Sequence, residues 1–344
     1  MAYTTINKST SFQNQLLWDG TGATNARTGL GFQPDFCWGK ERSSTSGHIL
    51  QDSVQGLSVY LSSNSDSATN PTSVQFTSFD SDGFTLGTST GINQSGQTNV
   101  GWAWKAGTTS GITTNGSSTI TPTGYSFNTT SGFSIIKYNG NNTAGAGLPH
   151  GLGVAPSMVI VKRLGSSGSW IVYHKDLGGT KNLILDASNA VATESSFWNN
   201  TAPDATNIYF GTSGATNVSG AYVAYCFTDV TGYSKFGSYS GNSDANGTFV
   251  YTGFKPAFLI LKRTDGADWW GMYDNARNPS NVVGERIYVN ESDAGADVTN
   301  VDFLSNGFKL RVTDTAINGS SGSYIYIAFG QSLVGSNNVP CTAR

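Results

Sequence analysis

The chain has 344 residues, enough for two or three ordinary domains. Its 43 Gly against 9 Pro, with 12% aromatic and 12% charged residues, exclude a disordered chain and a mainly helical one. A formal net charge of −3, from 19 basic and 22 acidic residues with no long run, argues against nucleic-acid binding.

Residues 1–14 read as an N-terminal arm. Met1 to Lys8 carries no apolar core of a secretory signal, and no later apolar stretch is long enough to span a bilayer. The expectation is a soluble chain made in the cytosol, without membrane insertion. Cys37, Cys226 and Cys341 show neither disulfide spacing nor a CxxC pair, so Cys37 and Cys226 read as small packing residues.

Residues 15–106 form the first of three repeated units. The unit opens on Trp18-Asp19-Gly20, and Gly31-Phe32-Gln33-Pro34 leads into the apolar run Phe36-Cys37-Trp38. Lys40, His48 and Asp52 stand six, fourteen and eighteen residues after Pro34. Leu57–Leu61 reads as a further strand, and Asp82-Gly83 as a hairpin whose two turn residues take positive φ. Ser95-Gly96 turns into the closing strand Val100-Gly101-Trp102-Ala103-Trp104, which alternates small and large residues as a tightly packed strand does.

Residues 107–132, rich in Gly, Ser, Thr and Asn, read as an extended connector. The same landmarks return in the second unit, 133–229: Tyr138-Asn139-Gly140, Pro156 before Met158–Val161, then Lys162, Trp170 and His174, and a closing strand ending at Phe227. Asn199-Asn200-Thr201-Ala202-Pro203 replaces the hairpin and implies a longer loop. The third unit, 235–331, has Tyr239-Ser240-Gly241, Pro256 before Phe258–Leu261, then Lys262, Trp270 and Asp274, the hairpin Asn306-Gly307, and a closing strand ending at Phe329. From Pro to the final aromatic the separations are 70, 71 and 73 residues, so the register is kept. Each nearly continuous apolar run after a Pro predicts a central strand covered on both faces. The predicted fold is all-β, three tandem β-sandwich units of jelly-roll or lectin-like type.

Signals for chemistry are weak. Gly87-Thr88-Ser89-Thr90-Gly91 has the G-x-S-x-G spelling but no following helix, so Ser89 reads as a turn residue. His48, His150 and His174 form no metal-ligand spacing, and Asp80-Ser81-Asp82-Gly83 lacks the downstream Glu of a calcium loop. No catalytic residue, metal or cofactor is assigned. The repeated Lys reads as marking a strand's exit to solvent; the acids at Asp52 and Asp274 could pair with it across strands, and Trp170 and Trp270 read as core aromatics. Trp198 and Trp269 lie outside the repeat pattern and are the candidates for an exposed, sugar-stacking ligand site.

The tail, 332–344, has apolar anchors at Leu333, Val334 and Val339, with Pro340 preventing a regular ending. These three are the candidate residues for holding the tail against the repeats themselves or a neighbouring subunit, and the polar start, Ala2 to Asn14, is the other candidate attachment arm.

Taken together, Met1 to Thr10, Gly31-Phe32-Gln33-Pro34-Asp35, Ser78 to Phe84, Tyr251 to Ala257, Tyr324 to Phe329 and Leu333 to Pro340 resemble a family of repeat proteins encoded by tailed bacteriophages, especially marine ones. The resemblance covers nearly the whole chain. It implies a non-enzymatic virion structural protein, assembled in the host cytoplasm with other virion proteins and as a homo-oligomer. Two positions on the particle follow: a tail-associated fibre or adhesin meeting a host surface glycan, or a head decoration protein stabilising the capsid. A depolymerase would need paired carboxylates in a cleft, and no such pair stands out.

Overall fold

The computed structural model describes residues 4–332, so Leu333, Val334, Val339 and Cys341 lie outside the described residues. The described residues are all-β apart from single-turn α-helices at Ser195–Trp198 and Thr315–Asn318 and a 3-10 turn at Ser9–Ser11.

Each repeat builds the same four-stranded ladder. In the first unit the order is Gln13–Asp19, Thr98–Trp104, Phe36–Glu41, Ile49–Asp52. In the second it is Phe133–Gly140, Gly220–Phe227, Met158–Arg163, Ile171–His174, and in the third Ser234–Ser240, Ser323–Gln331, Lys255–Arg263, Gly271–Asp274. The strand after each Pro therefore holds one topological position, between the closing strand and the return strand. Phe36, Met158 and Phe258 pair with Trp104, Phe227 and Phe329, and on the other side with Asp52, His174 and Asp274. Both neighbours are antiparallel, so the strand is central, as its apolar run requires.

The side chains of these ladders alternate between two cores. The small or medium residues of the closing strands, Ala103, Ala224, Cys226 and Ala328, face three local cores, one per unit, covered by each unit's outer strands. Each unit thus has one face on its own core and one on the core common to all three. The large residues on the opposite face converge in one shared core that draws on all three units. At its centre the final aromatics of the three closing strands form a triangle. Trp104–Phe227, Trp104–Phe329 and Phe227–Phe329 ring centroids lie 6.4, 5.8 and 6.0 Å apart. Only a small apolar cavity, about 30 Å³, remains beside them. The units are thus not three separate bodies: each contributes a wall to one prism around a pseudo-threefold axis.

Three details correct the sequence reading. Residues 107–132 are not merely a connector, since Pro122–Asn128 adds a strand beside Phe133–Gly140, with Ile120 and Phe127 in the second unit's core. The polar arm is held too: Ile6 is buried in the shared core, and Phe12 packs edge-on against Tyr233. The hairpins form, but their loop residues are Ser81-Asp82 and Ser305-Asn306, one position earlier than predicted. Gly83 and Gly307 open the next strand, where a Cβ would stand 1.9 Å from the Arg27 carbonyl or 2.1 Å from that of Val250. The glycine is fixed by close approach of a third strand rather than by a turn with two positive φ values.

Candidate functional site

The repeated polar positions sit at the seams between units. Lys40, Lys162 and Lys262 are fully buried, which corrects their reading as exits to solvent. Each ammonium donates to a carbonyl beside its own strand and to one in another unit. Lys40 Nζ reaches Ser292 O at 3.3 Å, Lys162 Nζ reaches Asp66 O at 3.1 Å, and Lys262 Nζ reaches Ser188 O at 3.1 Å. The contacts run first unit to third, second to first, third to second, a closed ring. Burial lowers all three Lys pKa values to about 8, against the pull of nearby carboxylates.

The ring positions repeat that pattern. His48 Nε2 lies 2.9 Å from Tyr288 O, Trp170 Nε1 donates to Ser62 O at 3.0 Å, and Trp270 Nε1 donates to Ile184 O at 2.9 Å. Trp38 Nε1 donates to His48 Nδ1, so the His48 proton sits on Nε2 and points at the third unit. Lys162 and Lys262 also lie 6.0 and 5.9 Å from the Trp170 and Trp270 ring centroids. Burial, then the charge of Lys40, lowers the His48 pKa to about 3; burial lowers His150 and His174 to about 4.

The acids do not pair with these lysines. Asp52 accepts from Tyr225 Oη of the second unit at 2.7 Å, and burial raises its pKa. Asp274 accepts from Trp102 Nε1 of the first unit at 2.8 Å and from the buried Arg277 Nε at 2.6 Å. These two links run round the axis in the opposite sense, so the seams of the first unit with the second and with the third are held from both sides. Arg42 and Glu285 add a bidentate pair between the first and third units.

Asn93, Asn217 and Asn318 form a fourth repeated set, one that the sequence reading passed over. Each Nδ2 donates to the carbonyl six residues back, Gly87, Gly211 or Val312, and each Oδ1 accepts from the backbone N of Thr21, Asn141 or Asn242. The signal was present as an Asn shortly before each Ser-Gly turn. Adjoining glycines explain the aromatic-Gly opening: a Cβ on Gly20, Gly140 or Gly241 would stand 2.0, 2.2 or 2.3 Å from a carbonyl of the same turn.

Of the residues singled out in the sequence, Ser89 is buried in a turn, donating to Gln75 Oε1 and accepting from Gly91 N and Ile92 N. Trp198 is not exposed; it is buried in the second unit's core against Tyr173 and Phe210. Trp269 is 43% exposed, whereas the other seven Trp are 4% exposed or less. Its Nε1 donates to Glu291 Oε1 at 2.8 Å, and its ring lies 5.5 Å from that of Tyr288 at 34°. The Arg286 guanidinium backs Tyr288 at 4.2 Å from the ring centroid. Trp269 and Trp198 are thus in different units and environments, and only Trp269 can meet a ligand.

Among the described residues no group of three or more His, Cys, Asp or Glu is placed to hold a metal ion, and no helix is long and apolar enough to cross a membrane. No curated protein and no solved structure matches the chain. One family model does match, described as a domain of unknown function (DUF7483), over residues 8–332. The match begins in the N-terminal segment, runs through all three units and ends at the last described residue, and so the chain belongs to the DUF7483 family.

Proposed function

We propose that the protein is a non-enzymatic structural component of a tailed-bacteriophage virion, carried on the tail as an adhesin that meets the host surface. The observation that carries this reading is the use of the repeated polar residues. The repeated Lys and ring positions of all three units, with Asp52 and Asp274, face seams, where they bond the units to one another, rather than an open cleft. Such a repeat encodes a rigid body and leaves loops outside the seams to bind. The sequence resemblance to phage repeat proteins supplies the particle.

A second reading, head decoration, is favoured by the aromatic triangle. A pseudo-threefold monomer matches the local threefold positions of a capsid. Gold-labelled antibody against the purified protein, applied to intact particles, tests both. Label on tails is the expected result and label on heads selects the second reading. Particles that carry none of the protein, or hydrolysis of host polysaccharide by the purified chain, overturn the proposal.

A further inference from the structure

We infer that Trp269, Tyr288 and Glu291 form a binding platform for an uncharged pyranose of a host-surface glycan. The inference deepens the adhesin reading and rests on it.

Trp269 stands thirteen residues after Pro256, and the same register in the other units holds Gly47 and Ser169. The fold therefore builds this turn twice without an aromatic. An indole that packing does not require, in a chain that buries its other seven, is a feature of the third unit alone.

The ring is also held in place. Its N–H is fixed on Glu291 Oε1, the backbone N of Trp269 donates to Asp268 Oδ1 at 3.0 Å, and Tyr288 supports one side. Tyr288 is in turn met by the Arg286 guanidinium, so indole, phenol and guanidinium adjoin one another at Val283–Tyr288. A binder that needs no reordering loses little entropy on association. What remains open is the solvent face of the indole. Beside it, Glu291 Oε2 has no hydrogen bond among the described residues.

That pair of groups fits one chemical class. The C–H face of a pyranose covers an indole and is held by dispersion and apolar burial, while a ring hydroxyl at its edge donates to a carboxylate. The surrounding charge narrows the class. Lys262 and Arg263 face Asp268 and Lys40 faces Asp293, so the acidic group left at the edge of the indole is the Glu291 carboxylate. A uronic or sialic acid would be repelled, so neutral hexoses and N-acetylhexosamines are the ligands expected.

The test uses the full-length protein on an array of bacterial neutral and acidic oligosaccharides, followed by calorimetry on the best binder. The wild type should bind neutral pyranosides and shield Trp269 from acrylamide quenching. Trp269→Ala should weaken binding at least about tenfold with an unchanged thermal midpoint, and Glu291→Gln should weaken it less. Absence of binding to every neutral glycan on the array, a preference for acidic ones, or full affinity in Trp269→Ala each overturns the platform. Particle labelling is a separate readout: label on tails without glycan binding sinks the platform alone, and glycan binding without label on particles sinks the virion assignment.

Discussion

A buried lysine is the least expected residue in this core, and it occurs three times. Lys40, Lys162 and Lys262 lie inside with lowered pKa values, so folding disfavours their charged forms. Between about pH 8 and the ordinary Lys pKa of 10.5 the unfolded chain binds more protons than the folded one, so on this account stability rises with pH across that window. Buried Cys37 and Cys226 oppose the trend toward its upper end, because their thiol pKa values are raised by burial. The comparison of interest is therefore between proteins: Lys162→Met should show a flatter stability profile from pH 8 to 10 than wild type in urea titrations. Parallel profiles would show that Lys162 does not titrate there. On the acid side the three buried histidines act together. Their lowered pKa values mean that stability is lost as pH falls from about 6.5 toward 4, and proton NMR should show no imidazole protonation in the folded protein above pH 5. Asn217 is a cleaner structural test, since Asn217→Ala strands Thr143 O, Gly211 O and Asn141 N. The expected loss is on the order of 2 kcal/mol, chiefly from the buried Gly211 carbonyl left unpaired. A loss under about 0.5 kcal/mol would show that water replaces the side chain.

At the scale of the element, the strand after each Pro was legible because a continuous apolar run needs a partner on both faces. Ile160 and Ile260 both belong to the shared core. Ile160→Ala and Ile260→Ala should each cost about 2–5 kcal/mol by cavity formation, and a loss under about 1 kcal/mol would contradict their central place. The strand Pro122–Asn128 was missed because its composition is that of a loop, and tertiary contacts, pairing with Phe133–Gly140 and a bridge from Phe127 to Thr108, hold it extended. The hairpin turns were displaced by one residue for a related reason. Local sequence weighs turn propensities, but Gly83 and Gly307 answer to a carbonyl from a strand far away in sequence.

At the scale of the whole molecule, the three units stabilise one another. Residues 107–229 expressed alone would keep the second unit's local core but leave Phe133, Met158, Ile160, Tyr225 and Phe227 facing water on one side of the sheet. That fragment should aggregate or stay unfolded by circular dichroism, and the full chain should melt in a single transition. A monomeric, cooperatively folded fragment would show that the local core suffices. By itself the sequence determined the all-β class, the threefold repeat, its register and the central strand, because these follow from periodicity and spacing, which are local. It also singled out Trp269, as a residue outside the repeat pattern. What only the tertiary structure decided is that the repeats close around a common axis. The roles of Lys40, Lys162, Lys262, His48 and Asp274 follow from that closure, since a polar side chain without a partner in its own unit is buried once another unit brings it a carbonyl or, for Asp274, an indole N–H.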